Sequence, residues 1–175
     1  MNELAIELKD TEWEYTGTDH DREIVRAIVF DGDGYFYFMR LRRDDIFAKA
    51  TLIETSGGGV EDGEDLETAI RRELREEMGA AVEIVSSIGV VSDYYNLIKR
   101  HNINHFFLCR ALSFGEKHLT EEEEDDFHLT TLKLTYTEAL SEYEKNRTSK
   151  LGRLIAQREL PVLKRAAELL DRREG

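Results

Sequence analysis

The chain predicts a mixed α/β (α+β) fold on two observations. Short segments alternating apolar and polar residues, the pattern of strands with one buried face, lie on both sides of a single central helix. A 3.6-residue apolar stripe then returns only toward the C-terminal end. The 175 residues suit one domain, 1–175, with enough chain to bury a sizeable core. Within it, 1–20 is expected as an N-terminal strand extension and 149–175 as a C-terminal helical segment.

Leu4, Ile6 and Leu8, then Trp13 and Tyr15, give two short alternating patterns that read as edge strands or a small hairpin. Trp13 and Tyr15 fit the cover of a core edge better than a base-stacking or dimer contact, and a homodimer stays open. Residues 22–42 read as a β-hairpin, Ile24 to Phe30 and Tyr35 to Leu41, about the turn Asp31-Gly-Asp-Gly34. The turn invites comparison with a calcium loop, but its twelfth place is Arg42 where a carboxylate is needed. Arg26, Arg40, Arg42 and Arg43 are candidate grips for substrate phosphates, and Arg40 and Arg42 are carried forward as substrate-binding residues. Ala50 to Thr55 reads as a strand leading into Ser56-Gly-Gly-Gly59. Glycines there let backbone approach a ligand closely, and the Gly58 carbonyl is expected in a metal shell.

The central helix follows from the stretch Gly58 to Ala80. At about 100° per residue, Leu66, Ala69, Ile70 and Leu74 form the stripe that faces the core. Asp65 is placed to cap it, Glu67 suits its first turn, and Gly79 ends it. Glu73 and Glu77 fall inside the apolar stripe and Glu76 at its edge, while Thr68, Arg71 and Arg75 take the outer face. Spaced i, i+3, i+4, the three carboxylates converge on one point. Like charges half buried together repel unless compensated, and the simplest compensator is a hard divalent cation held by oxygen ligands.

Residues 81–92 and 102–113 read as two apolar strands about a polar loop, Asp93 to His101. His101 and His105 have zinc-chelating spacing only on a helix. On a strand they stand about 13 Å apart, so a two-histidine zinc site is rejected. The run Glu121 to Asp126 reads as a solvated acidic loop before strand-like Phe127 to Leu134 and helix-like Tyr136 to Tyr143. From Ser149 to Leu170 a helical stripe is interrupted by Pro161, giving either one kinked helix or two short ones.

The full spacing of the central stretch carries a resemblance. Gly58, five residues, Glu64, seven residues, then Arg72, Glu73, Leu74, one residue, Glu76, Glu77, one residue and Gly79 is similar to the Nudix box of the MutT-like pyrophosphohydrolases. Two positions depart from it: Ala80 replaces a larger aliphatic residue, and Ser56 stands where many members have proline. The resemblance implies a Nudix-like mixed β-sheet sandwiched between helices, with the box as a loop-helix-loop. It implies hydrolysis of the pyrophosphate bond in a nucleoside diphosphate linked to another moiety, dependent on Mg²⁺ or Mn²⁺ and releasing a monophosphate. Glu73, Glu76 and Glu77 would hold the metal, while Glu64 and Arg72 would brace the box as an ion pair. Glu76, or a residue of the acidic run, Glu123 or Glu124, would serve as catalytic base. Tyr94 and Tyr95 lie where some dinucleoside-polyphosphate hydrolases of the family carry a tyrosine. Subfamily patterns needing downstream prolines are absent, Pro161 being the only proline.

The rest of the composition limits the alternatives. A net charge of −13 argues against broad, backbone-driven nucleic-acid binding, though not against a polyphosphate bridged through a cation. Cys109 is the only cysteine, which excludes an intrachain disulfide and makes an isoprenoid-diphosphate isomerase of this fold a poor reading. No signal peptide or membrane-spanning run is found, so a cytoplasmic protein is expected. The rival from another class is a Nudix-like domain that binds a nucleotide or regulates without turnover.

Overall fold

A computed structural model of the chain describes residues 2–174. In order, it contains β1 (Leu4–Glu7), β2 (His20–Phe30), β3 (Tyr35–Asp44), β4 (Lys49–Glu54), β5 (Ser56–Gly59), α1 (Leu66–Met78), β6 (Ala80–Tyr95), β7 (Arg100–Phe114), β8 (Thr130–Thr135), α2 (Tyr136–Asn146) and α3 (Lys150–Glu174). A 3₁₀ turn, Asn96–Ile98, joins β6 to β7, and a π-helical turn, Glu122–Asp126, precedes β8.

The sheet is mixed, ordered β1-β6-β7-β2-β3-β4, with β5 added to β2 and β8 to β3. β1 pairs parallel with β6 and β2 pairs parallel with β7, whereas β6 and β7 form a long antiparallel hairpin. Facing residues of β7 alternate between two helical layers, as period two requires. His105 and Phe107 border the start of α1, whereas Asn104 bonds to Asp93, which pairs with Arg158 of α3. Helices therefore cover both faces, as the family resemblance implied. A single core of buried apolar side chains runs from Val25 and Ile28 through Leu74 and Leu108 to Ile155 and Leu163.

The predicted hairpin of residues 22–42 forms only at its turn, where Val29 faces Tyr37 and Phe30 faces Phe36. Beyond those pairs the strands part: β2 turns to β5, while β3 pairs with β8 and β4. That opening places the glycine-rich β5 beside the box helix. Residues 3–18 yield one edge strand and no hairpin, and Trp13 lies edge-on to Phe47 with its ring centroid 5.9 Å away. Of the two forms expected around Pro161, the chain takes one helix, Lys150–Glu174, with the proline inside it.

Candidate active site

The box begins where β5 lies against α1. Asp65 caps the helix, its carboxylate accepting the Thr68 N–H at 2.7 Å, and Gly79 closes it in the left-handed region at φ 68°. Ala69, Ile70, Leu74 and Met78 are buried on one face, and Glu77 is buried with them, only 7% exposed. The Glu73 side chain is 13% exposed and that of Glu76 39%. The carboxylates thus grade from core to solvent across the helix face.

Glu77 Oε1 accepts hydrogen bonds from the Ser56 hydroxyl at 2.6 Å and the Gly57 N–H at 3.0 Å. Burial still pushes its carboxyl well above the ordinary range, and the adjoining Glu123 carboxyl adds to the rise. Glu73 is raised by burial too, against the pull of Arg72. Arg72 holds both oxygens of Glu64 at 2.8 and 2.9 Å, and the bond from Arg72 keeps the Glu64 carboxyl down near about 2. The same guanidinium reaches the Gly59 carbonyl at 3.1 Å, Glu73 at 2.9 Å and Glu76 at 3.3 Å. It ties loop to helix and also spreads positive charge among the carboxylates.

Among the described residues, no three acidic or imidazole groups form a ready-made cage around one point. The reason is visible: Arg72 occupies Glu73 and Glu76, while Ser56 and Gly57 occupy Glu77. The donor chemistry nonetheless fits a hard cation. Buried Glu77 has the half-buried Glu123 carboxyl beside it, and such a pair favours either a shared proton or a positive ion between its members.

Gly58 packs so closely on Glu73 that an added Cβ would sit 2.5 Å from its carboxylate oxygen, and a side chain there would push that carboxylate aside. Its carbonyl, however, is turned elsewhere. Val60 N–H bonds to Glu23 O at 3.0 Å, and the alternation of an antiparallel ladder then commits the 25/58 pair to each other. Gly57, one step out of phase, directs its backbone toward α1. The backbone oxygen expected from Gly58 is better placed at Gly57.

The cleft over these groups encloses about 400 Å³. Its acidic side is Glu73, Glu76, Glu77, Glu122 and Glu123, and its opposite wall carries Arg22, Arg26, Arg43 and Phe127. Of the two expected loop carboxylates, Glu123 enters the cleft and Glu124 does not line it. Glu123 is held there by a reciprocal pair with Thr120, whose N–H donates to it at 2.9 Å while its own N–H donates to the Thr120 hydroxyl at 3.1 Å.

Arg40 and Arg42, expected on the substrate, do not line the cleft: Met39, Leu41 and Arg43 do, and the alternate residues of β3 project from its other face. Arg40 pairs with Glu142 of α2 at 3.2 Å. Tyr94 and Tyr95 also lie away from it, both within β6 and not in a loop. Tyr94 stacks on His101 with centroids 4.6 Å apart, and the buried Tyr95 hydroxyl accepts from Arg158 at 2.7 Å. Sequence reasoning missed Arg22, Ser56 and Gly57. For Arg22 a signal was available, because it shares a strand face with Ile24 and Arg26.

Comparison with known proteins agrees with this construction. The NUDIX domain family model matches residues 20–151, and the chain belongs to that family. It is 58% identical over 65 residues to a nucleoside triphosphatase NudI of Enterobacter sp. (strain 638), covering 37% of this chain and 45% of that protein. It is 38% identical over 73 residues to an RNA pyrophosphohydrolase of Dinoroseobacter shibae, covering 42% and 43% respectively. The chain thus spans less than half the length of these curated relatives. Among solved structures, a MutT NUDIX hydrolase from Burkholderia pseudomallei aligns at TM-score 0.54 and 26% identity, over 67% of this chain and 84% of that one. A NUDIX hydrolase from Nitrosomonas europaea shares the fold at TM-score 0.60 and 14% identity, over 84% and 86%. No helix among the described residues is long and apolar enough to cross a membrane.

Proposed function

We propose that the chain, acting as one domain over 1–175, hydrolyses the pyrophosphate bond of a nucleoside diphosphate linked to another moiety and releases a monophosphate. The observation that carries this reading is the burial of Glu77 beside Glu123 at the floor of a cleft whose far wall bears arginines. Glu73, Glu76 and Glu77 would hold Mg²⁺ or Mn²⁺, joined by the Gly57 carbonyl. When bound, such an ion neutralises the pyrophosphate charge and acidifies water. Glu123 is the best-placed group to take the proton of the attacking water, with Glu76 as the other candidate. Arg72 and Glu64 act on the geometry of the carboxylates and not on substrate. The single buried cysteine and the absence of disulfides suit the cytoplasm.

Glu76→Gln and Glu77→Gln should each lower metal-dependent release of monophosphate by at least about 10²-fold, with unchanged circular dichroism. Full activity in both variants would remove the mechanism. The rival reading, a binding domain without turnover, predicts no product from the unaltered chain with Mg²⁺ or Mn²⁺ on a panel of nucleotide diphosphate compounds.

A further inference from the structure

Three arginines line the cleft wall, and two of them are committed to the fold. Arg26 pairs with Glu54 at 2.7 Å and donates to the Thr55 carbonyl and the Asn104 amide oxygen, each at 3.2 Å. Arg43 pairs with Asp45 at 2.7 Å and lies between the rings of Phe47 and Phe127, 5.1 and 4.7 Å from their centroids. Arg22 is different. It has no ion pair and no side-chain hydrogen bond among the described residues, although the chain is strongly acidic.

The carboxylates beside it in sequence do not reach it. Asp21 and Glu23 lie on the other face of β2, where they meet His101 at 3.1 Å and His105 at 2.5 Å. On its own face, Arg22 stands next to Asn102 of β7, whose amide oxygen accepts from Arg100 at 2.6 Å. Arg100 also lacks a carboxylate partner among the described residues; its guanidinium rests over the Tyr95 ring, 5.2 Å from the centroid. Burial, and then the Arg22 charge, lower its affinity for the proton. Two neighbouring guanidinium groups without an anion pose the mirror image of the glutamate problem, and the missing partner is an anion.

Gly59 defines where that anion sits. An added Cβ there would lie 2.9 Å from an Arg22 nitrogen, so the guanidinium lies down on the bare backbone of β5. Gly58, the preceding residue, touches the Glu73 carboxylate. Successive strand positions face opposite ways, but β5 ends at the cleft and both Arg22 and Glu73 line it, so the two groups can meet parts of one polyphosphate.

We propose that Arg22, backed by Arg100, forms an anion subsite that takes a third phosphate, so that the chain prefers a nucleoside triphosphate to a diphosphate conjugate with an uncharged second moiety. This rests on the cleft being the pyrophosphohydrolase site. Arg22 is exposed, so Arg22→Gln should fold normally. It should raise KM for a nucleoside triphosphate about tenfold, the effect of one charge-assisted contact, with kcat within about threefold and KM for a nucleotide sugar unchanged. Arg22→Lys should recover part of the loss. Gly59→Ala, which displaces the guanidinium, should reproduce the KM rise.

Calorimetric titration with an α,β-methylene nucleoside triphosphate separates this from the hydrolase reading. Weakened binding of that analogue in Arg22→Gln, with no weakening for the matching diphosphate, supports the subsite even if the unaltered chain proves to turn over nothing. Equal loss for both ligands, or loss for neither, overturns it.

Discussion

At Glu77 a carboxylate is withdrawn from water before its charge has been met. Its folded pKa is raised by burial, so the folded chain without metal favours the protonated acid. An unfolded glutamate ionises near 4.5; above that pH the metal-free fold loses stability progressively, because the unfolded state gives up the proton more readily. The stabilisation conferred by Mg²⁺ should therefore be larger at about pH 8 than at about pH 5.5, a difference readable as the change in thermal midpoint with and without chelator. Arg72 is the second critical residue. Lysine cannot reproduce its fork on Glu64 while also reaching Gly59 and Glu73. Arg72→Lys should lower kcat by about tenfold or more and leave KM nearly unchanged. Cys109 presents the opposite case: burial pushes its thiol up to about 12. It should resist alkylation in the native protein at about pH 8 and label only on unfolding, as mass spectrometry after timed quenching would report.

At the scale of elements, the site is a junction between β5, α1 and the segment after β7. That segment is fastened at both ends: Gly115 N–H bonds to Gly79 O and His118 N–H to Glu76 O, each at 2.7 Å, while Arg42 N–H bonds to Phe127 O at 2.7 Å. The carbonyls at the end of α1 thereby find partners, and Glu123 is brought over Glu77. Leu74→Ala, which opens a void beneath the box helix, should cost about 3 kcal/mol in denaturant unfolding. Thr135→Ala, which removes one half of the capping box with Glu138 at the start of α2, should cost about 1 kcal/mol. The helix was legible in the sequence because its stripe, cap and terminal glycine agreed with one another. β3 was legible as a strand, but its facing was not, since Phe36, Tyr37, Phe38 and Met39 are all buried. With apolar residues on both faces, parity cannot tell which arginines meet the cleft, and Arg40 and Arg42 were chosen over Arg43. Tyr95 misled for a similar reason: its fate depends on Arg158, which lies 63 residues away and leaves no local trace.

Across the whole molecule, a buried ionic network joins the last helix to the cleft. Arg158, fully buried, contacts Glu54 at 2.9 Å, Glu159 at 2.9 Å and Asp93 at 3.4 Å. Glu159 in turn receives the Thr55 N–H and hydroxyl, both at 2.7 Å, and the Tyr143 hydroxyl at 2.8 Å. Replacing Arg158 with Met would leave Asp93 without its cation and Glu159 with only Arg26, at 3.9 Å. A loss of about 3–5 kcal/mol is expected in urea unfolding.

The Glu159 clamp on Thr55 also sets a sequence of events during synthesis. Thr55 immediately precedes Ser56 and Gly57, the residues that position Glu77, yet the carboxylate that fixes it is translated more than a hundred residues later. A nascent chain that has already emitted the entire box therefore still lacks the buttress behind it. The seat of Glu77 should therefore become fully ordered only once α3 has folded against Thr55.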